Sequence, residues 1–190
     1  MKVPIEISAR HIHLSCKDTA ALFGAGFELS KYKDLSQPGQ FACKETVKLV
    51  GPRGEINNVR ILGPCRVQTQ VEVSETDAKA LGLEPPIRDS GNLAGTSGIK
   101  VIGPRGQLEL KQGLILALRH IHIDPATALK LGVKNYDRVK VDTIGERDLL
   151  FENVLVRVSP DFKLAMHIDT DEANAAGIDK DNHEGEIIVS

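Results

Sequence analysis

The sequence predicts a mainly β protein, either a barrel or a sandwich, that is built from two related units. Short runs rich in valine, isoleucine and leucine, such as TQVEVS and NVLVRVS, alternate with Gly-Pro turns, which is typical of many short strands. The tetrapeptide GPRG occurs twice, each time after an apolar run, where proline and glycine suit a tight turn. A longer layout occurs four times. Repetition at this scale indicates that one supersecondary unit is used more than once.

The fourfold layout consists of an apolar strand, a metal-capable side chain, one aliphatic residue, a serine or aspartate, an alanine-rich stretch and a glycine. The serine or aspartate is predicted to cap a helix, because its side chain accepts hydrogen bonds from the free N–H groups of the first turn. The glycine is predicted to end that helix in a left-handed conformation. Each metal-capable residue therefore lies at a strand end, just before a helix. The four copies run from His13 to Gly24, Glu72 to Gly82, His122 to Gly132 and His167 to Gly177.

The spacing of the repeats predicts two domains that resemble each other. Glu72 and His122 stand 50 residues apart, and the two GPRG turns stand 52 residues apart. We place the boundary near residue 93, in a stretch that contains glycine and serine. The first domain would then cover residues 1–92 and the second residues 93–190, with chain ends allowed to cross between them.

Composition excludes several classes of protein. The chain has 190 residues and a net charge of −2, so it offers no basic surface for nucleic acid or anionic lipid. It contains neither a long apolar run nor a secretory signal, and its three cysteines form no CxxC pair. These features predict a soluble cytoplasmic protein with reduced thiols.

The histidines predict a metal site. Two RHIH segments place His11 and His13, and likewise His120 and His122, on one side of a strand, because side chains alternate along β structure. One such pair is commonly just a polar face, but the second copy favours metal binding. Imidazole suits zinc and its neighbours, and catalytic zinc often has three protein ligands. With Glu72 and His167, six side chains could serve two ions, whereas His183 lies in a polar segment and is left out.

Several arginines lie within or beside apolar β runs, where an arginine usually pairs with a buried carboxylate. Close to a metal pair they would instead bind phosphate, because a planar guanidinium matches phosphate oxygens with two hydrogen bonds. Arg66, six residues before Glu72, is the first choice for this role.

The blocks SARHIHLS, LSQPGQFA, NVRILGPCRVQTQVEVS, PIRDSG, LRHIHIDP and MHIDTDEANAAG cover the chain from Val3 to about Gly177. In these blocks the chain resembles the PduL-type phosphate propanoyltransferases, or phosphotransacylases, of propanediol-utilising bacteria. The resemblance implies two β-barrel domains with short capping helices, a dinuclear zinc site between them and a homodimer. It also implies reversible transfer of a propanoyl group, with acetyl as a further choice, between coenzyme A and phosphate. Members held in microcompartments carry an extra N-terminal helix, so a free cytoplasmic enzyme is expected here.

The resemblance also assigns roles to individual residues. One zinc ion would be held by His11, His13 and Glu72, and the other by His120, His122 and His167. Arg66 would bind phosphate, and Gln70, Ser90 and Arg157 would help to orient it. The coenzyme A pocket would contain Ser8, Lys33, Arg60, Leu62 and Asn174.

These roles predict direct attack of phosphate on the thioester carbonyl, with one zinc ion on the coenzyme A sulfur and the other beside phosphate. Cys65 is the nearest candidate for a covalent nucleophile, but the spacing places no repeated histidine beside it. Two alternatives stay open. A dinuclear zinc hydrolase could act on a thioester or phosphoester, or the ions could be structural clips in a binding protein.

Overall fold

The computed structural model describes residues 1–179 and 183–189, and its contacts divide the chain into two compact units. The continuous unit is Arg10–Ala117, and the discontinuous unit combines Met1–Ala9 with Leu118–Ser190. The prediction of domains over residues 1–92 and 93–190 is therefore corrected. Strands between residues 97 and 117 pair with strands of the first half, so the chain leaves the continuous unit only after Ala117.

The described residues form short strands and shorter helices, and the protein is mainly β. In the continuous unit the strands are β2 (His11–His13), β3 (Lys31–Asp34), β4 (Phe41–Val50), β5 (Glu55–Gly63), β6 (Gln70–Glu72), β7 (Ile87–Arg88), β8 (Ser97–Ile102) and β9 (Gln107–Ala117). In the discontinuous unit they are β1 (Lys2–Ile7), β10 (His120–Ile123), β11 (Arg138–Thr143), β12 (Leu150–Val158), β13 (Ala165–Ile168) and β14 (His183–Ile188). The helices are α1 (Cys16–Phe23), α2 (Glu75–Leu81), α3 (Pro125–Leu131) and α4 (Thr170–Ala175).

Each unit contains a closed six-stranded barrel among its described residues. The continuous barrel follows the order β4-β5-β2-β6-β9-β8 and closes through β8 and β4, while β3 and β7 pair at its sides. The discontinuous barrel follows the order β11-β12-β10-β13-β1-β14 and closes through β14 and β11. Each has its own core of buried aliphatic side chains, centred on Ile12, Leu49 and Leu114 in one and on Val3, Ile121 and Met166 in the other. The predicted choice between barrel and sandwich is thus resolved as two barrels.

The two barrels have the same strand arrangement, and each contains a strand from the other half of the chain. In both rings the histidine strand lies between a parallel and an antiparallel neighbour. Strand β9 pairs in parallel with β6, and β1 pairs in parallel with β13. Along the chain, however, β1 precedes β2 and β9 precedes β10. With the repeats taken as β1–β8 and β9–β14, the first strand of each repeat therefore completes the barrel of the other repeat.

The GPRG turns support the helix C-termini. The Arg53 N–H donates to the Leu81 carbonyl at the end of α2, at 3.1 Å, and the Arg105 N–H donates to Leu22 in the last turn of α1, at 3.0 Å. A Cβ atom at Gly51 would come within 2.2 Å of the Leu81 carbonyl oxygen, so only glycine fits this approach. The repeated tetrapeptide thus satisfies carbonyl groups that a helix end leaves open.

The predicted helix caps are confirmed at all four N-termini of the described helices. The side chains of Ser15, Ser74, Asp124 and Asp169 each accept a hydrogen bond from an N–H group in the first turn. Helices α2 and α3 end at glycines in the left-handed conformation, as predicted, but α4 is capped by Ala176, one residue before Gly177. Because each cap follows a metal-capable residue by two positions, these short helices fix where each strand end stops.

Candidate metal clusters

The discontinuous unit brings three imidazoles together at the end of its histidine strand. His120 and His122 lie on β10, and His167 on β13 is the direct partner of His120 across the antiparallel pair. The ring centroids of His120 and His122 are 4.6 Å apart, and His167 lies 5.1 Å from the first and 4.8 Å from the second. Each ring offers one nitrogen, and these three nitrogens lie within 4.8 Å of one another. The three side chains could hold one metal ion.

A hydrogen bond orients one of these rings, and a carboxylate lies close to a second. His120 Nδ1 donates to the Leu118 carbonyl oxygen at 2.8 Å, so in the neutral ring Nε2 is the unprotonated nitrogen. His167 Nδ1 lies 3.7 Å from Glu6 Oε2, and these two residues are Cα partners in the parallel pair of β13 and β1. Hydrogen-bond acceptors on the far ring nitrogen are the usual way in which proteins orient histidine ligands.

The continuous unit forms a second cluster at the equivalent place. His11 and His13 lie on β2, and Glu72 on β6 is the direct partner of His11. His11 Nε2 lies 3.6 Å from Glu72 Oε2, and the two imidazole centroids are 4.9 Å apart. All three side chains are buried, and one ligand atom from each falls within the same 4.8 Å limit. The structure therefore groups the six predicted metal ligands as the sequence analysis expected.

His13 shows that the second cluster suits a metal ion. Its Nδ1 is buried and has no hydrogen-bond partner among the described residues, whereas a buried polar atom is normally satisfied. Burial, together with the electrostatic influence of His11 and Arg66, lowers the pKa of His13 to about 2. The ring is therefore neutral at pH 7, which is the form that binds metal. Imidazole and carboxylate ligands in this number fit zinc with one coordination position open.

A ring of hydrogen bonds surrounds the carboxylate of this cluster. The Gln70 side-chain amide donates to Glu72 Oε1 at 2.5 Å and to Ser90 Oγ at 2.7 Å. The Ser90 hydroxyl donates to Glu72 Oε1 at 3.2 Å. The sequence analysis assigned Gln70 and Ser90 to phosphate orientation, but in the structure both side chains contact the carboxylate of Glu72.

Arg66 lies beside His13 at the edge of an open pocket of about 350 Å³. Its backbone N–H donates to the Leu14 carbonyl at 2.8 Å, and Arg66 forms an isolated parallel bridge with Ser15. The segment after β5 is thereby held against the start of α1, next to the histidine strand. The remaining lining residues are Pro38, Gly39, Gln40, Gly63 and Pro64.

The residues predicted to bind coenzyme A fall in both units. In the continuous unit, Lys33 and Leu62 are both partners of Ala42, so they lie in one row across three strands. Arg60 donates to the carbonyl oxygens of residues 43 and 44 at 2.9 and 2.7 Å, and its guanidinium lies 5.8 Å from the Tyr32 ring. In the discontinuous unit, the Ser8 N–H donates to Ile168 at 2.8 Å, and Asn174 is an exposed residue of α4.

Strand register places Arg157 beside the three-histidine cluster. It is the Cα partner of His122 on the neighbouring parallel strand, so both side chains point to the same side. The guanidinium lies 5.7 Å from the Phe162 ring, which itself lies 4.1 Å from the His122 ring. The arginine thus adds positive charge near this cluster.

His183, which the sequence analysis left out, lies in neither cluster of the described residues. It begins β14 instead of lying in a loop, and its Nε2 is 2.7 Å from Asp179 Oδ1. Sequence reasoning missed Glu6 beside His167, because a glutamate in the alternating PIEIS strand has the pattern of an ordinary solvent-facing residue. None of the described helices is long and apolar enough to cross a membrane.

The fold and the clusters define a mainly β protein of two strand-exchanged barrels, each with one metal-capable triad among its described residues. Residues 4–179 match the model of the phosphate propanoyltransferase family. The chain therefore belongs to this family of acyltransferases.

Three relatives illustrate the similarity. A phosphate propanoyltransferase of Thermotoga maritima is 57% identical over 173 residues, which is 90% of this chain and 82% of the relative. A phosphate propanoyltransferase of Listeria monocytogenes is 52% identical over 178 residues, which is 94% of this chain and 84% of the relative. The protein from Salmonella typhimurium is 54% identical over 178 residues, 93% of this chain and 84% of its own.

Proposed function

We propose that this chain is a phosphate acyltransferase that interconverts propanoyl-CoA and phosphate with propanoyl phosphate and coenzyme A, and that acetyl-CoA is a second substrate. The observation that carries the proposal is that the family match over residues 4–179 includes both triads and Arg66. The cytoplasmic location and the homodimer remain predictions.

We further propose that each triad holds one zinc ion. The three-histidine cluster supplies neutral ligands, while the other cluster supplies two imidazoles and the Glu72 carboxylate. Bound zinc would supply Lewis-acid stabilisation of negative charge on the thioester carbonyl oxygen and on the departing sulfur. The two metal sites would differ in net charge, because the Glu72 carboxylate leaves its metal ion with one positive charge less than the three neutral imidazoles do.

Arg66 is proposed to bind phosphate. Arg66 lines an open pocket beside His13, and a guanidinium can donate two parallel hydrogen bonds to phosphate oxygens. The backbone hydrogen bond of Arg66 to Leu14 fixes the base of the side chain, so phosphate would be held in one orientation next to the cluster. Arg157 supplies a second positive charge near the three-histidine cluster.

Coenzyme A is proposed to bind through Lys33, Arg60 and Leu62 in the continuous unit, and through Ser8 and Asn174 in the discontinuous unit. Strand β3 is exposed, and the charge of Lys33 suits the phosphates of the nucleotide end, whereas Lys31 is ion-paired with Asp34. Two backbone carbonyls and the Tyr32 ring hold the Arg60 guanidinium. A fixed cation binds an anion with less loss of side-chain entropy.

Phosphate is proposed to attack the thioester carbonyl directly. The candidate nucleophile Cys65 has its sulfur 3.6 Å from Thr19 Oγ1, and it hydrogen-bonds Cys16, which raises the pKa of the Cys16 thiol. Neither contact supplies a base that would form a thiolate. In the balanced reaction the phosphate oxygen forms a bond to the carbonyl carbon, and the carbon–sulfur bond breaks to release coenzyme A thiolate.

The test is release of coenzyme A thiol from propanoyl-CoA with and without phosphate, together with trapping of acyl phosphate by hydroxylamine. Phosphate-dependent thiol release with trapped acyl phosphate is the expected result. Thiol release without phosphate, with free acid as the product, would instead identify a hydrolase, which the open coordination position in each triad also permits. Arg66→Lys should raise the KM for phosphate more than that for propanoyl-CoA, whereas the exposed Arg53→Lys should change neither.

A further inference from the structure

Glu72, Gln70 and Ser90 form a closed hydrogen-bonded ring. The Gln70 amide nitrogen donates one hydrogen to Glu72 Oε1 and its other hydrogen to Ser90 Oγ. The Ser90 hydroxyl donates a hydrogen bond to Glu72 Oε1. Both donors of the amide and the single hydrogen of the hydroxyl are therefore used.

A backbone group fixes the orientation of this ring. The Gly91 N–H donates to Gln70 Oε1 at 2.8 Å, so the side-chain amide cannot turn over without losing three hydrogen bonds. Gly91 adopts a φ of 97°, a conformation that glycine tolerates, within a turn in which the Asn92 N–H donates to the Asp89 carbonyl. The turn at residues 89–92, close to the predicted domain boundary, thus serves the cluster.

The ring separates the two oxygens of the Glu72 carboxylate. Oε1 accepts both hydrogen bonds of the ring, while Oε2 lies 3.6 Å from His11 Nε2. Oε1 is thereby directed toward the ring and Oε2 toward the imidazoles. A carboxylate held in this way presents one oxygen to a metal, whereas a free one could rotate and present both.

We infer that Gln70 and Ser90 are positioning residues that make Glu72 a one-oxygen metal ligand and so keep one coordination position open for substrate. This inference rests on the proposed function, since it requires a metal ion at this cluster. It concerns groups that hold the ligand, and it assigns neither residue a contact with substrate.

In the other cluster an alanine stands at the place of Gln70, which confines the effect of this ring to one site. His13 is the Cα partner of Gln70, and at the corresponding place His122 is the partner of Ala165. Alanine cannot orient the ligand on the same strand, and His167 is instead flanked by Glu6. Loss of the ring should therefore weaken one site and spare the other.

Removal of the ring should weaken metal binding by about 10- to 100-fold, the usual effect of losing a group that orients a ligand. Wild-type protein loaded with zinc, Ser90→Ala and Gln70→Leu would be titrated with a chromogenic chelator to resolve the two dissociation steps. Cobalt(II) absorption would report coordination number, because a second carboxylate oxygen would weaken the visible bands of a four-coordinate ion. Gln68→Leu and Ser97→Ala, both outside the ring, are the matched controls, and Ser90→Thr should restore binding.

The expected result is that one dissociation step shifts in Ser90→Ala and Gln70→Leu, with an altered cobalt spectrum, while the other step and both controls stay at wild-type values. Equal weakening of both steps, or an unchanged pair of steps, would overturn the inference. If Gln70→Leu does not fold, Ser90→Ala alone decides, because it removes only a hydroxyl. A wild-type protein that binds no zinc would count against the proposed function itself, whereas unchanged variants of a zinc-loaded, active enzyme count against the positioning role alone.

Discussion

His11 and Glu72 face each other as direct Cα partners across the antiparallel strands β2 and β6. His120 and His167 hold the same relationship across β10 and β13. Both potential metal sites are therefore set by strand register, and a slip of one strand by one residue would turn its ligands to the opposite side. The clusters are as rigid as the barrels that carry them.

Zinc should stabilise the protein. A ligand that binds only the folded state adds about 2.7 kcal/mol to the free energy of unfolding when it is present at 100 times its dissociation constant. Thermal unfolding followed by fluorescence, with a chelator and with added zinc, should show a clear rise in Tm with zinc. An unchanged Tm, together with no zinc by elemental analysis, would contradict metal binding at either cluster.

His120→Ala should lower zinc content and acyl transfer together. The substitution removes one of three ligands from the discontinuous unit, so we expect about one zinc ion per chain to be lost. Zinc analysis of the purified variant and the thiol-release assay measure both quantities. His183→Ala is the matched control, since His183 contacts Asp179 outside the clusters, and full activity in a zinc-depleted His120→Ala protein would refute a catalytic metal.

Cys65→Ser should keep most of its activity. Direct attack by phosphate needs no thiol, and serine can keep the contact with Thr19. The assay is turnover of propanoyl-CoA, with zinc content measured in parallel and the buried Cys43→Ser as a comparison. Loss of turnover in Cys65→Ser with zinc still bound would indicate a covalent acyl-enzyme instead.

The metal-free protein should lose stability as the pH falls below about 6.5. In the folded protein His13 has a pKa of about 2, against an ordinary value of 6.5. Between these two pH values the unfolded chain therefore binds a proton at His13 and the folded chain does not. The contribution of His13 is complete above pH 6.5 and declines below it by at most about 1.4 kcal/mol per pH unit. Urea unfolding at pH 7.5 and 5.5 checks this, and His13→Gln should show a shallower decline.

Sequence reasoning reached the clusters because they depend on short-range rules. The His-x-His alternation and the cap residues Ser15 and Asp124 act within a few positions, and periodicity reveals them. The predicted boundary near residue 93 falls too early, because β8 and β9 follow it in the chain and yet pair with β4 and β6 of the continuous unit. The contacts of Gln70 with Ser90 and Gly91 were not predicted, because a turn at residues 89–92 supplies both partners.

Exchange of β1 and β9 has a consequence for any half-length version of this protein. A polypeptide that held a single repeat would have six barrel strands in sequence. In the full chain, however, the first of these strands pairs within the barrel of the other repeat. Such a fragment would close its ring only by borrowing that strand from a second copy of itself. The folding of such a strand-exchanged dimer would depend on protein concentration, whereas a single chain that contains both repeats folds without that dependence.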